Sequence, residues 1–223
     1  WGDWGVKTAV ALQQECAAII ANGGRTWIGY QMYPQFRVEP AVMSQLAQAL
    51  AFVKERESLC RNARPVPYIA VAHSTRSYLT HKPTYFVDEA LIKGVHKVLL
   101  ESGFHYNLLM DEDLEDKINQ YKAVILSDQR YVSPRLSKAL MRFVSEGGGL
   151  IATCLTGTED DNLEPTVSFI LEDIFGVSLE GEYPYSHAYI ELVDERLKPN
   201  VLDMPILVWG KCVYVRPKGA KVL

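Results

Sequence analysis

The 223-residue sequence predicts an α/β fold in which helices cover both faces of a parallel sheet. From residue 67 onwards, short apolar segments alternate with amphipathic helices, which is the order of strands joined by crossover helices. The apolar segments, such as PYIAVAH at 67–73 and YKAVILSD at 121–128, are nearly continuous, as expected of strands buried on both faces. With 48% hydrophobic and 22% charged residues, the chain has enough apolar side chains for a core.

Residues 1–58 are predicted to have the order helix, strand, helix. Apolar residues recur at helical spacing in residues 7–21, and an Asn-Gly-Gly sequence supplies the end of that helix. Residues 25–31, RTWIGYQ, are a predicted strand, and a second helix is expected from Pro40 to Glu57. Two helices and one strand are too few to close a core, so we interpret this segment as the end of another domain.

A flavodoxin-like domain is predicted for residues 67–182, after a polar, proline-containing linker at 59–66. The predicted strands cover residues 67–73, 104–110, 121–128 and 150–154, and the predicted helices cover 85–102, 111–119, 133–145 and 165–175. Gly103 and the Gly147-Gly148-Gly149 sequence are stop signals for the first and third of these helices. In residues 183–223, HAYIELV and PILVWGKCVYVRP are predicted antiparallel strands that either complete this domain or begin a C-terminal β domain.

Charge and composition exclude several kinds of partner. The formal net charge is -4 and the basic residues are interleaved with acids, so we expect that the chain does not bind nucleic acid. No segment approaches the roughly 20 apolar residues of a membrane helix, so we expect no membrane partner. The four cysteines are widely spaced without a CxxC pair, which predicts neither a zinc site nor a disulfide framework. No second ligand stands at metal spacing from His73 or His81, and we expect no cofactor.

Candidate site residues lie where the predicted parallel strands end, because ligands and catalytic groups gather at the carboxyl edge of such sheets. The loops concerned contain residues 73–75, 111, 128–131 and 154–161. Of these, Glu159-Asp160-Asp161 could supply a carboxylate to a ligand or to a neighbouring subunit. A run of acids in a polar loop is more often a solvated turn, and adjacency in sequence does not make a catalytic pair.

Cys154 is a candidate nucleophile because it ends an apolar strand and precedes a turn. The segment resembles the nucleophile elbow of class I glutamine amidotransferases, where the cysteine lies in a Gly-x-Cys-x-Gly turn, but here Ala152 and Thr156 occupy the glycine positions. In this alternative the chain is a stand-alone cysteine hydrolase or amidotransferase, with His187 as the base and Glu191 as the residue that orients it. The competing interpretation is a cysteine that fills space as a small hydrophobic residue.

A third alternative is a carbohydrate-binding module. Exposed tyrosines would stack on sugar rings in such a module, and the candidates are Tyr78, Tyr131, Tyr183 and Tyr185. Tyrosines in loops of this kind are more often packed amphipathic residues.

Residues 67–177 resemble the trimerisation domain of family 42 β-galactosidases. The resemblance is carried by YIAVAHS, LLESGFHYNLL, YKAVILSD and, most specifically, EGGGLIATCLTGTEDDN, in which a helix, three glycines and a strand lead into an acidic loop. The resemblance implies a class I amidotransferase-like fold, no catalysis by this domain and assembly into a homo-oligomer. It also implies that the loop at 156–162 comes close to the active site of a neighbouring subunit.

The first segment resembles the last part of the (β/α)8 catalytic barrel of α-L-fucosidase-like glycoside hydrolases, through WGDWG, ANGGRTWIGYQMYP and the helix that follows. By this resemblance Trp1 and Trp4 lie at the carboxyl end of a barrel strand and stack on a carbohydrate substrate. The catalytic carboxylates are then expected upstream of residue 1, with no catalytic residue in this chain. Together the two resemblances imply part of a multidomain glycoside hydrolase that contains a non-catalytic accessory domain.

Overall fold

The computed structural model describes residues 5–63, 66, 68–76, 90–199, 201 and 203–223. They belong to two units, Trp1–Val66 and Pro67–Leu223. Four candidates from the sequence, Trp1, Trp4, Tyr78 and His81, lie outside the described residues. None of the described helices is long and apolar enough to cross a membrane.

Two helices make the core of the first unit: α1, Ala9–Ala21, and α2, Pro40–Cys60. Their apolar faces contact each other, and the buried side chains at this contact are Leu12, Val42, Leu46 and Ala49. Proline at the first position of α2 suits a helix start, because the missing amide proton would have had no partner inside the helix. Both predicted helices of this segment are confirmed.

The strand predicted at residues 25–31 is wrong. Residues 24–33 have no regular secondary structure, and no strand in the described part of the chain pairs with them. Ile28 and Tyr30 instead pack against the α1–α2 core. An apolar segment becomes a strand only when another strand offers hydrogen bonds to its backbone, and here the helices offer side-chain contact alone.

Four parallel strands form the sheet of the second unit: β1, Ile69–His73; β2, Tyr106–Met110; β3, Ala123–Leu126; and β4, Gly149–Ala152. Their order across the sheet is β2-β1-β3-β4. Ile69 lies opposite Tyr106 on one side and Ala123 on the other, and Ala123 lies opposite Gly149. The predicted α/β class with a parallel sheet is confirmed.

Helices cover both faces of this sheet: α3, Ala90–Glu101; α4, Asp111–Lys117; α5, Pro134–Ser145; and the short α6, Glu172–Phe175. On one face, α4 and α5 bury Leu114, Leu136, Leu140 and Phe143 against Ala70, Ala72, Val124 and Leu126. On the other face, Leu99 of α3 packs on Val71 and Ile125. The two central strands therefore contact core on both sides, which explains their continuous apolar sequences.

Glycine ends three helices in the same way. Gly23 after α1, Gly103 after α3 and Gly147 after α5 have φ angles of 76°, 70° and 96°. In each case the amide of the next residue donates to a carbonyl five residues earlier in the chain, at 2.9 Å. This is the Schellman motif, which needs a left-handed residue that glycine supplies without strain. The stop signals predicted from the sequence are confirmed.

The helix predicted at residues 165–175 is shorter than expected, because only Glu172–Phe175 are helical. The amides of Thr166 and Ile170 donate to the carbonyls of Thr158 and Gly157, at 2.8 and 2.7 Å. Backbone groups that bond back to the loop after β4 are not free to make helical hydrogen bonds. This part of the chain is therefore a folded loop.

Two antiparallel ribbons follow the sheet. β5, Val177–Glu182, pairs with β8, Val213–Pro217, and β6, His187–Ile190, pairs with β7, Ile206–Trp209. The antiparallel arrangement is confirmed. PILVWGKCVYVRP, however, is two strands in different ribbons, separated at Gly210, whose φ of 134° breaks the extended conformation.

Candidate functional site at the carboxyl edge of the sheet

Parallel pairing brings the ends of the four sheet strands to one edge. His73 at the end of β1 lies opposite Met110 of β2, and Leu126 of β3 lies opposite Ala152 of β4. The loops that start at these residues are those in which the sequence places its candidates. The edge is therefore the place to examine for chemistry.

Two hydrogen bonds hold the turn that follows β4. The Asp128 amide donates to Thr153 Oγ1, and the Leu155 amide donates to the Asp128 carboxylate, both at 2.9 Å. Asp128 and Cys154 have φ angles of 49° and 46°, a left-handed conformation that is strained for residues other than glycine. The turn thus directs the chain sharply at Cys154, as an elbow does, although no glycine flanks the cysteine.

The environment of the Cys154 thiol favours its protonated form, whereas an activated nucleophile is held as a thiolate. Its Sγ donates to the carbonyl oxygen of Lys211 at 3.3 Å. Burial, with a smaller contribution from the negative charge of Asp128, raises the pKa of the Cys154 thiol to about 11. Catalytic cysteines have lowered pKa values because the thiolate is the nucleophile, so this thiol is protonated near neutral pH.

His187 and Glu191 have partners and positions of their own in the β6–β7 region. In the described part of the chain, no hydrogen bond joins Cys154 to either residue. His187 lies opposite Trp209 in the β6–β7 ribbon, and the two rings pack with centroids 5.6 Å apart. Glu191 follows β6 and is exposed. The cysteine hydrolase alternative gains no support from the contacts of these residues.

The three acids after β4 have separate structural partners. Glu159 is buried and its carboxylate lies 3.9 Å from the Arg130 guanidinium. Asp160 accepts hydrogen bonds from two amides of its own loop, which lower its pKa. Asp161 accepts a hydrogen bond from the Tyr131 hydroxyl at 3.2 Å. The acidic sequence therefore builds a defined loop, and its first residue is not solvated as the sequence suggested.

Of the described tyrosines proposed for sugar stacking, Tyr131 and Tyr183 are engaged in packing, whereas Tyr185 is exposed. Tyr131 is buried, at 7% exposure, and the Arg76 guanidinium lies 4.6 Å from the centre of its ring. Tyr183 makes edge-to-face contacts with Tyr185 and Tyr214, with ring centroids 5.2 and 5.3 Å apart. The exposed face that a sugar platform requires is absent at Tyr131.

Asp111 is a buried carboxyl whose partners the sequence did not reveal. It is 6% exposed and accepts a hydrogen bond from Gln129 Nε2 at 2.7 Å. Burial raises its pKa to about 6, against the opposing effect of hydrogen bonds from Ser74 and Gln129. Gln129 is itself 4% exposed, and its Oε1 has no hydrogen-bond partner in the part of the chain that the structure describes.

Asp111 and Gln129 follow different strands and lie 18 residues apart, so no sequence spacing indicates the pair. Across the described residues, no group of three His, Cys, Asp or Glu side chains could hold a metal ion.

Comparison with known proteins identifies the α/β region. Residues 86–193 match the family model described as "Beta-galactosidase trimerisation domain". No curated protein sequence matches the chain.

Similar solved structures include alpha-L-fucosidase isoenzyme 2 from Paenibacillus thiaminolyticus, with a TM-score of 0.74 and 21% identity over 97% of this chain and 32% of that one. The cold-adapted beta-galactosidase from Rahnella sp. R3 has a TM-score of 0.75 and 16% identity, over 97% and 35% of the two chains. The beta-galactosidase from Bacillus circulans sp. alkalophilus has a TM-score of 0.62 and 20% identity, over 80% and 28%. The chain thus spans about a third of the length of these structures.

The sheet, its helices and this match define the second unit as an accessory α/β domain. Residues 86–193, slightly less than half of the chain, match the model of the β-galactosidase trimerisation domain family. The resemblance of residues 67–177 to that family is thereby confirmed, and the fold likeness to a fucosidase and to β-galactosidases extends over nearly the whole chain. The assignment of residues 1–58 to the end of a barrel stays a prediction, as does the role of Trp1 and Trp4.

Proposed function

We propose that the chain is part of a multidomain glycoside hydrolase, and that residues 67–223 form a non-catalytic domain that joins copies of the enzyme. The observation that carries the proposal is the match of residues 86–193 to the trimerisation domain family. The protonated thiol of Cys154 supports the non-catalytic role, because it removes the best candidate nucleophile from the carboxyl edge.

In this proposal the carbohydrate substrate binds at a barrel to which residues 1–58 contribute the final helices. Trp1 and Trp4 supply aromatic faces for a sugar ring, and the catalytic carboxylates lie on other strands of that barrel. The fold likeness to an alpha-L-fucosidase and to beta-galactosidases supports this arrangement.

The surface that we assign to assembly is the β6–β7 ribbon. Trp209 is 74% exposed and Tyr189 is 67% exposed, and Ile190, Ile206 and Leu207 are exposed as well. An isolated two-stranded ribbon is marginally stable in water, and large exposed apolar patches usually mark contacts. The family match extends through β6, which supports a second copy of the chain as the partner.

Sedimentation velocity on the protein tests this assembly. Replacing Tyr189 and Trp209 together by serine should weaken self-association at least tenfold, because large aromatic residues dominate the energy of interfaces. The matched control replaces Val98 and Leu100 by serine, since both are 63% exposed on α3 and equally apolar. The proposal would be wrong if the unmodified protein were a monomer at micromolar concentration. It would also be wrong if both double variants weakened self-association equally.

Hydrolysis of nitrophenyl glycosides tests the catalytic part. The complete multidomain enzyme of this proposal, called here the longer protein, should release nitrophenol from a β-D-galactoside or an α-L-fucoside. The 223-residue chain alone should not. Cys154→Ala should leave the rate of the longer protein unchanged. Loss of hydrolysis in this variant, with its fold intact by circular dichroism, would contradict the non-catalytic role of the residues around Cys154.

A further inference from the structure

Cys154 and Cys212 are far apart in sequence but lie close together beside the start of β8. The thiol of Cys154 donates to the carbonyl oxygen of Lys211 at 3.3 Å, and that carbonyl forms the peptide bond to Cys212. By standard peptide geometry, a carbonyl oxygen lies about 2.8 Å from the Cα of the following residue. The Cys154 sulfur is therefore no more than about 6 Å from the Cα of Cys212.

This separation suits a disulfide after a small movement. Disulfide-bonded cysteines have Cα atoms roughly 4.4–6.8 Å apart, so the sulfur of one lies inside about 5 Å of the other's Cα. Both thiols are free in the structure, and both residues are partly accessible to solvent. The two thiols also interact electrostatically, since Cys212 contributes to raising the pKa of Cys154.

The surroundings allow the movement. A cavity of about 340 Å³ lies between β4 and the β5–β8 ribbon. Cys154 lines it together with Leu150 and Ala152 on one side and Val213 and Val215 on the other. Space of this kind lets the turn at Cys154 and the start of β8 approach each other without displacing a packed core.

We propose that Cys154 and Cys212 form a reversible disulfide that fastens the β5–β8 ribbon to the carboxyl edge of the sheet. Cysteine spacing in the sequence argues against a disulfide framework, so the pairing arises only from the fold. The oxidant is a low-molecular-weight disulfide, such as oxidised glutathione.

The exchange proceeds in two steps. The Cys212 thiolate attacks one sulfur of the small disulfide, whose S–S bond breaks and releases one thiol. Cys154 then loses its proton to solvent and attacks the Cys212 sulfur, which expels the second thiol. Two protein thiols are thus oxidised by two electrons, and one small disulfide is reduced to two thiols. The second step is slow near neutral pH because the Cys154 thiol is largely protonated.

The test treats the folded 223-residue chain with oxidised glutathione between pH 7 and 10, quenches with acid and maps the peptides by mass spectrometry. We expect a Cys154–Cys212 cross-linked peptide that forms roughly ten times faster for each unit of pH. Cys154→Ser should instead accumulate a glutathione adduct on Cys212. Cys60→Ser is the matched control and should cross-link as the unmodified chain does.

A second readout is the melting temperature. Closing a loop of this length should raise the Tm by roughly 5–10 °C, reversibly with dithiothreitol, in the unmodified chain and in Cys60→Ser but not in Cys154→Ser. Stable glutathione adducts on Cys212 in the unmodified chain at pH 9, without cross-linking, would overturn the proposal. A cross-link that involves Cys60 instead would overturn it as well.

Discussion

Strands β3 and β7 are both four residues long and both apolar, with the sequences AVIL and ILVW, yet their surroundings differ. β3 lies between two parallel neighbours and under helices on both faces, and its last three side chains are buried. β7 has one antiparallel neighbour and three of its four side chains are exposed. Two strands of similar apolar composition therefore lie in the core in one place and at the surface in the other.

The difference shows that burial is a property of the fold and not of the strand sequence. An apolar strand leaves water only where other layers cover it, and the ribbon has no such layers among the described residues. An exposed aromatic ribbon is thus the region where contacts from outside the chain are to be sought, and the sheet is the region that keeps the domain folded.

The largest expected difference between the two regions comes from removing the same side chain in each. Leu136 of α5 is fully buried under the sheet, and Leu207 of β7 is exposed. Leu136→Ala should lower the free energy of unfolding by about 3 kcal/mol, and Leu207→Ala by less than about 1 kcal/mol. Urea unfolding of the unassociated chain measures both. Equal losses would mean that the ribbon is a second core.

Asp111, at the edge of the sheet, should make the free energy of unfolding depend on pH. Its pKa in the folded chain, about 6, is above the unfolded value of 3.8, so folding favours the protonated form. The resulting penalty is absent below about pH 4, grows between pH 4 and 6, and amounts to about 2–3 kcal/mol above pH 6. Asp111→Asn should therefore stabilise the chain at pH 7 by about 2 kcal/mol and have little effect at pH 4.

The comparison uses unfolding free energies at both pH values. The control is Asp113→Asn on the same helix, an exposed residue that forms an ion pair with Lys117, 2.6 Å away. Its effect should stay below about 1 kcal/mol. If Asp111→Asn destabilised the chain more at pH 7 than at pH 4, the ionised carboxylate would be a net stabilising group, and the expected penalty would be wrong.

The smallest expected effects come from two glycines beside the sheet. A Cβ on Gly148 would lie 2.3 Å from the buried ring of Phe143, whereas a Cβ on Gly94 in α3 would meet nothing within 4 Å. Gly148→Ala should lower the Tm, at a cost of about 1–2 kcal/mol from overpacking. Gly94→Ala should raise it, with a gain of about 1 kcal/mol from helix propensity. Thermal unfolding distinguishes the signs, and a gain in both would mean that Phe143 repacks freely.

Sequence reasoning predicted most of what is local. The glycine stops and the apolar strands of the sheet both depend on residues within a few positions of one another. It failed where partners are distant. The RTWIGYQ segment lacks a neighbouring strand, and residues 165–171 bond to the loop after β4 instead of forming a helix.

The candidate site divides in the same way. Parallel pairing placed the loops at one edge of the sheet, and the sequence identified these loops. The contacts between them, such as Asp111 with Gln129, join residues from different strand ends, and no periodicity or motif encodes such a pair. Burial of Glu159 and Tyr131 likewise depends on how the loops stack on one another.

The β6–β7 ribbon lies in the chain between the two strands of the β5–β8 ribbon, and this order has a further consequence. Glu182 lies opposite Val213, and the Tyr183 amide donates to the Cys212 carbonyl at 2.8 Å, so residues 183–212 leave and re-enter the domain side by side. A segment with adjacent ends behaves as an interchangeable insert, because shortening it to a tight turn or replacing it leaves the β5–β8 pairing intact. Evolution can therefore change the surface that the ribbon presents to its surroundings while the sheet that supports it stays the same.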